Sequence, residues 1–113
     1  MSTIFKKIID KEIPSDIIFE NDKILCFKDI NAAAPIHLLI IPKKEIATVN
    51  DVEQSDKELI GEMFIAAKNI AKKMNISEDG YRLVVNCNDN AGQTVHHLHM
   101  HLLAGKKFLW PPG

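Results

Sequence analysis

From position 97 to 102, imidazoles and aliphatic side chains alternate without interruption: His97, Leu98, His99, Met100, His101, Leu102. Successive side chains of an extended chain point to opposite faces, so this period of two sets the imidazoles on one face and the aliphatic groups on the other. A helix would scatter both sets around its axis. Residues 97–104 therefore read as a strand with one face in a core and the other built from histidine. Further β-rich runs join it at 17–20 and 23–28, separated by the turn pair Asn21-Asp22, at 37–41, closed by Pro42, and at 81–87. The polar, turn-rich stretch 88–94 connects the last two.

Two segments carry helical spacing instead. Thr3 can cap a short helix over 4–10, where Ile4, Phe5, Ile8 and Ile9 form an apolar stripe that Pro14 ends. Ser55 and Glu58 form a capping-box pattern ahead of Leu59, Ile60, Met63, Phe64, Ala67, Ile70, Ala71 and Met74, which predicts an amphipathic helix to about Asn75. Strands in hairpin-length succession with few helices predict an α+β fold on an antiparallel sheet of about five strands, with one long and one short helix. A chain of 113 residues has no room for a second core, so residues 1–113 read as a single domain.

Charge narrows the partners. Lysine and arginine number 14 against 15 acids, and Arg82 is the only arginine. No basic stripe exists to neutralise a nucleic-acid backbone, so no nucleic-acid partner is expected. A site for a phosphorylated ligand cannot rest on arginine forks and must use backbone N–H groups, hydroxyls, amides or histidines. Cys26 and Cys87 lack metal or redox spacing and read as free thiols of a reducing compartment. The start of the chain lacks a signal-type apolar run, and the longest apolar stretch, 32–42, is interrupted by His37 and too short to span a bilayer. The expected setting is cytoplasmic, or nuclear by diffusion, with no membrane partner.

Four of the five histidines lie between 96 and 101. Same-face neighbours on a strand are about 7 Å apart, so one small ligand can touch two or three of the rings. Two chemistries fit. Histidine is the commonest transition-metal ligand, and a His-x-His pair on a strand can hold zinc, although no carboxylate stands at a ligand-like position beside it. Alternatively, one neutral imidazole is a nucleophile while the others manage protons and phosphate charge. Crowded imidazoles disfavour one another's protonation, which favours a neutral ring near pH 7. Asn86, Gly92, Gln93 and Thr94, just upstream, offer an amide, a close backbone approach and a hydroxyl, and N–H groups in such a turn can form an anion-binding concavity.

His97-Leu98-His99-Met100-His101-Leu102-Leu103 resembles the His-φ-His-φ-His-φ-φ signature of the histidine triad (HIT) superfamily. Residues 4–9 with 11–14, 27–30, 34–43, the 86–94 loop and the terminal Trp110-Pro111-Pro112-Gly113 resemble its nucleotide-binding Hint branch. The longer galactose-phosphate uridylyltransferases, which carry glutamine at the third histidine, fit less well. Small departures include Thr94 where serine is common, Ala104 where glycine is frequent, and the extra His96.

The resemblance implies a HIT-like fold pairing into a homodimer, and hydrolysis of the P–N bond of adenosine or guanosine 5′-phosphoramidates without a metal or other cofactor. His99 would attack the α-phosphorus and become transiently nucleotidylated. His101 would contact the phosphate and assist departure of the amine, His97 would orient the nucleophile, and His37 would join the histidine network. Asp29 would hold the ribose hydroxyls with Ile30 beside the nucleoside. Asn86, Gly92, Gln93 and Thr94 would cradle the phosphate, and Phe5, Ile8, Ile13 and Leu39 would wall the purine pocket. Trp110 would lie near the partner subunit's site. A non-catalytic nucleotide-binding adaptor and a zinc-binding histidine strand are the rival readings.

Overall fold

A computed structural model describes residues 2–113; Met1, at the start of the segment read for a leader, lies outside them. Five strands form one antiparallel sheet: β1 (Ile17–Glu20), β2 (Ile24–Lys28), β3 (Ile36–Pro42), β4 (Arg82–Val84) and β5 (Met100–Ala104). Their order across the sheet is β1-β2-β3-β5-β4, so β3 and β5 are neighbours although about sixty residues separate them. Two helices flank the sheet, α1 (Ile4–Ile9) and α2 (Lys57–Lys73).

Period-two alternation gives each face its own core. Ile24, Cys26, Leu38, Ile40, Met100, Leu102 and Ala104 pack with Met63, Ala67, Ile70 and Ala71 of α2. Leu25, Phe27, Leu39 and Ile41 turn the other way and pack with Phe5 and Ile8 of α1. The register pairs Phe27 with Leu39 and Leu39 with His101, a single row across the α1 face of the sheet. His37, two residues before Leu39, shares that face.

Thr3 caps α1 as its sequence suggests, its hydroxyl accepting the Lys6 N–H at 3.1 Å. The Ser55–Glu58 capping box does not form. Asp56, in the 3-10 turn ahead of α2, accepts the Glu53 N–H and the Lys44 ammonium instead, and α2 starts at Lys57. The last two strands are shorter than the sequence predicts, Arg82–Val84 rather than 81–87 and Met100–Ala104 rather than 97–104. Among the described residues no helix is long and apolar enough to cross a membrane.

Candidate active site

The ladder begins only at Met100, yet the alternation persists upstream of it. Leu98 joins the α2 core, while His97 and His99 turn to the α1 face against Phe5, with ring centroids 6.3 and 5.0 Å from it. The strand is interrupted because its backbone has other partners. Leu98 N–H donates to the Ile46 carbonyl at 2.7 Å, and the His97 carbonyl accepts from the His99 ring.

Each imidazole is oriented by a specific bond, and the bonds fix the ring protons. His97 Nε2–H donates to the Pro42 carbonyl at 2.7 Å. His99 Nδ1–H donates to the His97 carbonyl at 2.7 Å, so in its neutral form His99 Nε2 is a bare lone pair. His101 Nδ1 lies 2.9 Å from His37 Nε2, and the His99 and His101 ring centroids are 5.1 Å apart. Burial holds all three triad rings below the usual histidine pKa. His101 is pushed down to about 4, by burial first and then by the neighbouring His99 and His37. Neutral, nucleophile-competent imidazole is therefore the resting form at pH 7.

His99 and His101 line a cavity of about 410 Å³ between α1 and the sheet, the size range of small-ligand pockets. Phe5, Ile8, Ile13 and Leu39 form its apolar wall, Asp29 and Ile30 its rim, and Thr94 stands beside the histidines. Phe27, Pro14 and Ser15 also line it, and sequence reasoning missed them; the parity of Phe27 with Leu39 on adjoining strands was the available signal. Asp29 sits in the β2–β3 turn. Its N–H donates to the His37 carbonyl at 3.0 Å, its Oδ1 accepts the Asn31 N–H at 2.8 Å, and its Oδ2 lies 3.4 Å from His37 Nε2.

The loop before the triad differs from expectation. The N–H groups of Ala91, Gly92 and Gln93 donate to the Asn88 and Asp89 carbonyls, closing a 3-10 turn that Gly92 leaves at φ 82°. These three N–H groups are therefore engaged within the loop itself. Gln93 is buried, and its amide joins Ala47, Val95 and Asn88 main-chain atoms at 2.9 to 3.1 Å, so its side chain holds the loop in place rather than reaching for a phosphate. Asn86 and Gly92 lie outside the cavity lining. Trp110 is 83% exposed and outside the cavity of its own chain, in a tail that Arg82 pins through the Leu109 carbonyl at 3.0 Å.

Asp29, His37 and His101 each bring one donor atom within 4.8 Å of the others, the spacing of a metal-ligand cluster. The protons do not suit one. His37 Nδ1 accepts the Ala33 N–H at 3.0 Å, so the ring proton occupies Nε2, the atom that would have to ligate. The cluster is wired as a hydrogen-bond chain.

The HIT domain family model matches residues 10–108. The purine nucleoside phosphoramidase of Escherichia coli K12 is 51% identical over 104 residues, 92% of this chain and 87% of that protein. A crystal structure of a HIT family hydrolase from Legionella pneumophila Philadelphia 1 superposes with a TM-score of 0.97 at 52% identity, covering 99% of this chain and 100% of the other. A histidine triad protein from Clostridium difficile superposes with a TM-score of 0.93 at 38% identity, covering 96% and 95%.

Proposed function

This chain belongs to the HIT domain family, and from that premise we propose that it is a purine nucleoside phosphoramidase acting through a covalent nucleotidyl-His99 intermediate. One observation carries the reading. His99 donates Nδ1–H to the backbone, stays neutral through burial, and so offers the Nε2 lone pair at the wall of a nucleotide-sized cavity.

The purine lies against Phe5, Ile8, Ile13 and Leu39, with the ribose hydroxyls on Asp29 and Ile30 beside them. Thr94, which lines the cavity, meets the phosphate, and the stretch that carries Asn86 and Gly92 leads up to it. The Nε2 lone pair of His99 forms the bond to phosphorus; the P–N bond breaks, and its electron pair leaves with the amine nitrogen, which takes up a proton from solvent, matched by the proton that the attacking water later returns to solvent. His101 hydrogen-bonds the phosphoryl group and eases that departure, and His97 holds His99 in its attacking tautomer through its carbonyl. Water then attacks phosphorus, His99 recovers its lone pair, and the nucleoside monophosphate is released. Positioning and fixed dipoles supply the catalysis.

A second copy pairs with this one through the β4 edge of the sheet, next to the exposed Val85, and brings the exposed Trp110 toward the neighbouring site. Light scattering is expected to give twice the 12.7 kDa mass of the chain, and a mass of 12.7 kDa would contradict the pairing. The function is tested by AMP release from adenosine 5′-phosphoramidate after EDTA treatment. Steady turnover is expected. Tight AMP binding without release would leave an adaptor, and activity that returns only with zinc would move the chemistry to a metal.

A further inference from the structure

The hydrogen-bond chain behind His101 has a direction. It starts at a group that cannot titrate, the main-chain N–H of Ala33, which donates to His37 Nδ1 at 3.0 Å. A nitrogen that accepts carries no proton, so the single ring proton of neutral His37 is on Nε2. That atom lies 2.9 Å from His101 Nδ1 and 3.4 Å from Asp29 Oδ2. His101 Nδ1 must accept, and the proton of its ring is left on Nε2. Protonating His101 at Nδ1 would set two N–H groups against each other.

We propose that His37, fixed by Ala33, is a positioning residue that holds His101 as a neutral Nε2–H donor toward the phosphoryl oxygens. The proposal rests on the phosphoramidase reading for its kinetic consequence, but the tautomer itself does not depend on any substrate. The groups facing this pair are Asp29 from the β2–β3 turn and His99 from the run before β5. Burial and the two neighbouring rings keep His101 unprotonated, in agreement with the geometry. A donor placed this way stabilises charge developing on phosphorus-bound oxygens and needs no reorganisation.

Glutamine and glutamate separate this role from others, because they have the same length and opposite hydrogen-bond character at the atom that meets His101. His37→Gln can still donate there through its terminal amide NH2, although it gives up the acceptor for the Ala33 N–H, since both polar atoms of the amide sit at the end of the side chain. His37→Glu can only accept, which draws the His101 proton to Nδ1 and turns a bare Nε2 toward the phosphate. In mildly alkaline buffer, where His101 is neutral, His37→Gln is expected to keep kcat within about threefold, whereas His37→Glu loses about 10²-fold or more, the usual effect of removing an oxyanion donor. KM for adenosine 5′-phosphoramidate changes less than kcat in both.

Nitrogen NMR of 15N-histidine-labelled protein, without substrate, is expected to show His101 as the Nε2–H tautomer in the wild type and in His37→Gln. His37→Glu should show Nδ1–H. A wild-type Nδ1–H tautomer would overturn the proposal whether or not the phosphoramidate is turned over, and it decides the matter even if the glutamate variant fails to fold. Equal losses in the two variants, with an altered pH profile, would make His37 a proton carrier instead. Equal retention of activity would deny it any role.

Discussion

The two faces of the 97–104 segment are both drawn into the protein, the aliphatic face fully and the histidine face only in part at His101 and Leu103, and they yield opposite results. Leu98, Met100, Leu102 and Ala104 are buried against α2, where removing apolar surface from water contributes to stability. His97 and His99 are equally buried against α1, with 2% and 6% exposure, and there burial opposes protonation. The same act of burial consolidates one face and tunes reactivity on the other. For the nucleophilic role proposed for His99, burial beside Phe5 already keeps the ring neutral, and no separate device is needed.

The sharpest way to break this comparison is to remove one residue from each face. His99→Ala is expected to lower kcat by about 10³-fold or more, since covalent catalysis is lost, while AMP binding measured by calorimetry stays near wild type. Comparable turnover by the two proteins would refute the assignment. On the opposite face Leu102 has no exposed surface, and Leu102→Ala should destabilise the fold by about 2–5 kcal/mol in urea titration, with kcat per folded molecule little changed. A loss of kcat matching that of His99→Ala would mean that the two faces are not separable.

Gly105 sharpens the link between the faces. Its φ is 93°, and an added Cβ would lie 2.8 Å from Pro35 Cβ, within the turn that carries Ala33. Gly105→Ala is expected to cost about 1–3 kcal/mol of stability, read from thermal unfolding, and to lower kcat by disturbing the Ala33–His37 bond.

The smallest expected effect is in pH. The three triad histidines titrate below 6.5 in the folded protein and near 6.5 when unfolded. As pH falls through 6.5 the unfolded chain takes up protons that the folded chain refuses, so the unfolding free energy declines until His101 itself titrates near 4. Activity follows the neutral nucleophile, so the acid limb of kcat/KM should lie below pH 6.5. A limb at or above 6.5 would show that burial does not set the state of His99.

Much of this arrangement was legible in the residues. Alternation assigned Leu98, Met100 and Leu102 to one face and the imidazoles to the other, and helical spacing found α2. The ladder's late start was not legible, because the His97 carbonyl accepts from a side chain two residues away, a contact that no periodicity announces. The Ser55–Glu58 pattern was outcompeted by Asp56, which also gains the Lys44 ammonium from a distant loop. Gln93 reads as a ligand-facing amide until the 3-10 turn is seen to surround it with main-chain partners. The Ala33 N–H, which orders the histidine chain, belongs to the backbone and leaves no mark on residue type.

The central claim is that His99 Nε2 forms a bond to phosphorus. Rapid acid-free quenching during turnover of adenosine 5′-phosphoramidate, followed by peptide mass spectrometry, tests it directly. The account predicts one adenylyl group on the peptide bearing His99, absent from His99→Ala. Steady turnover with no adduct, or an adduct on His101, would contradict it.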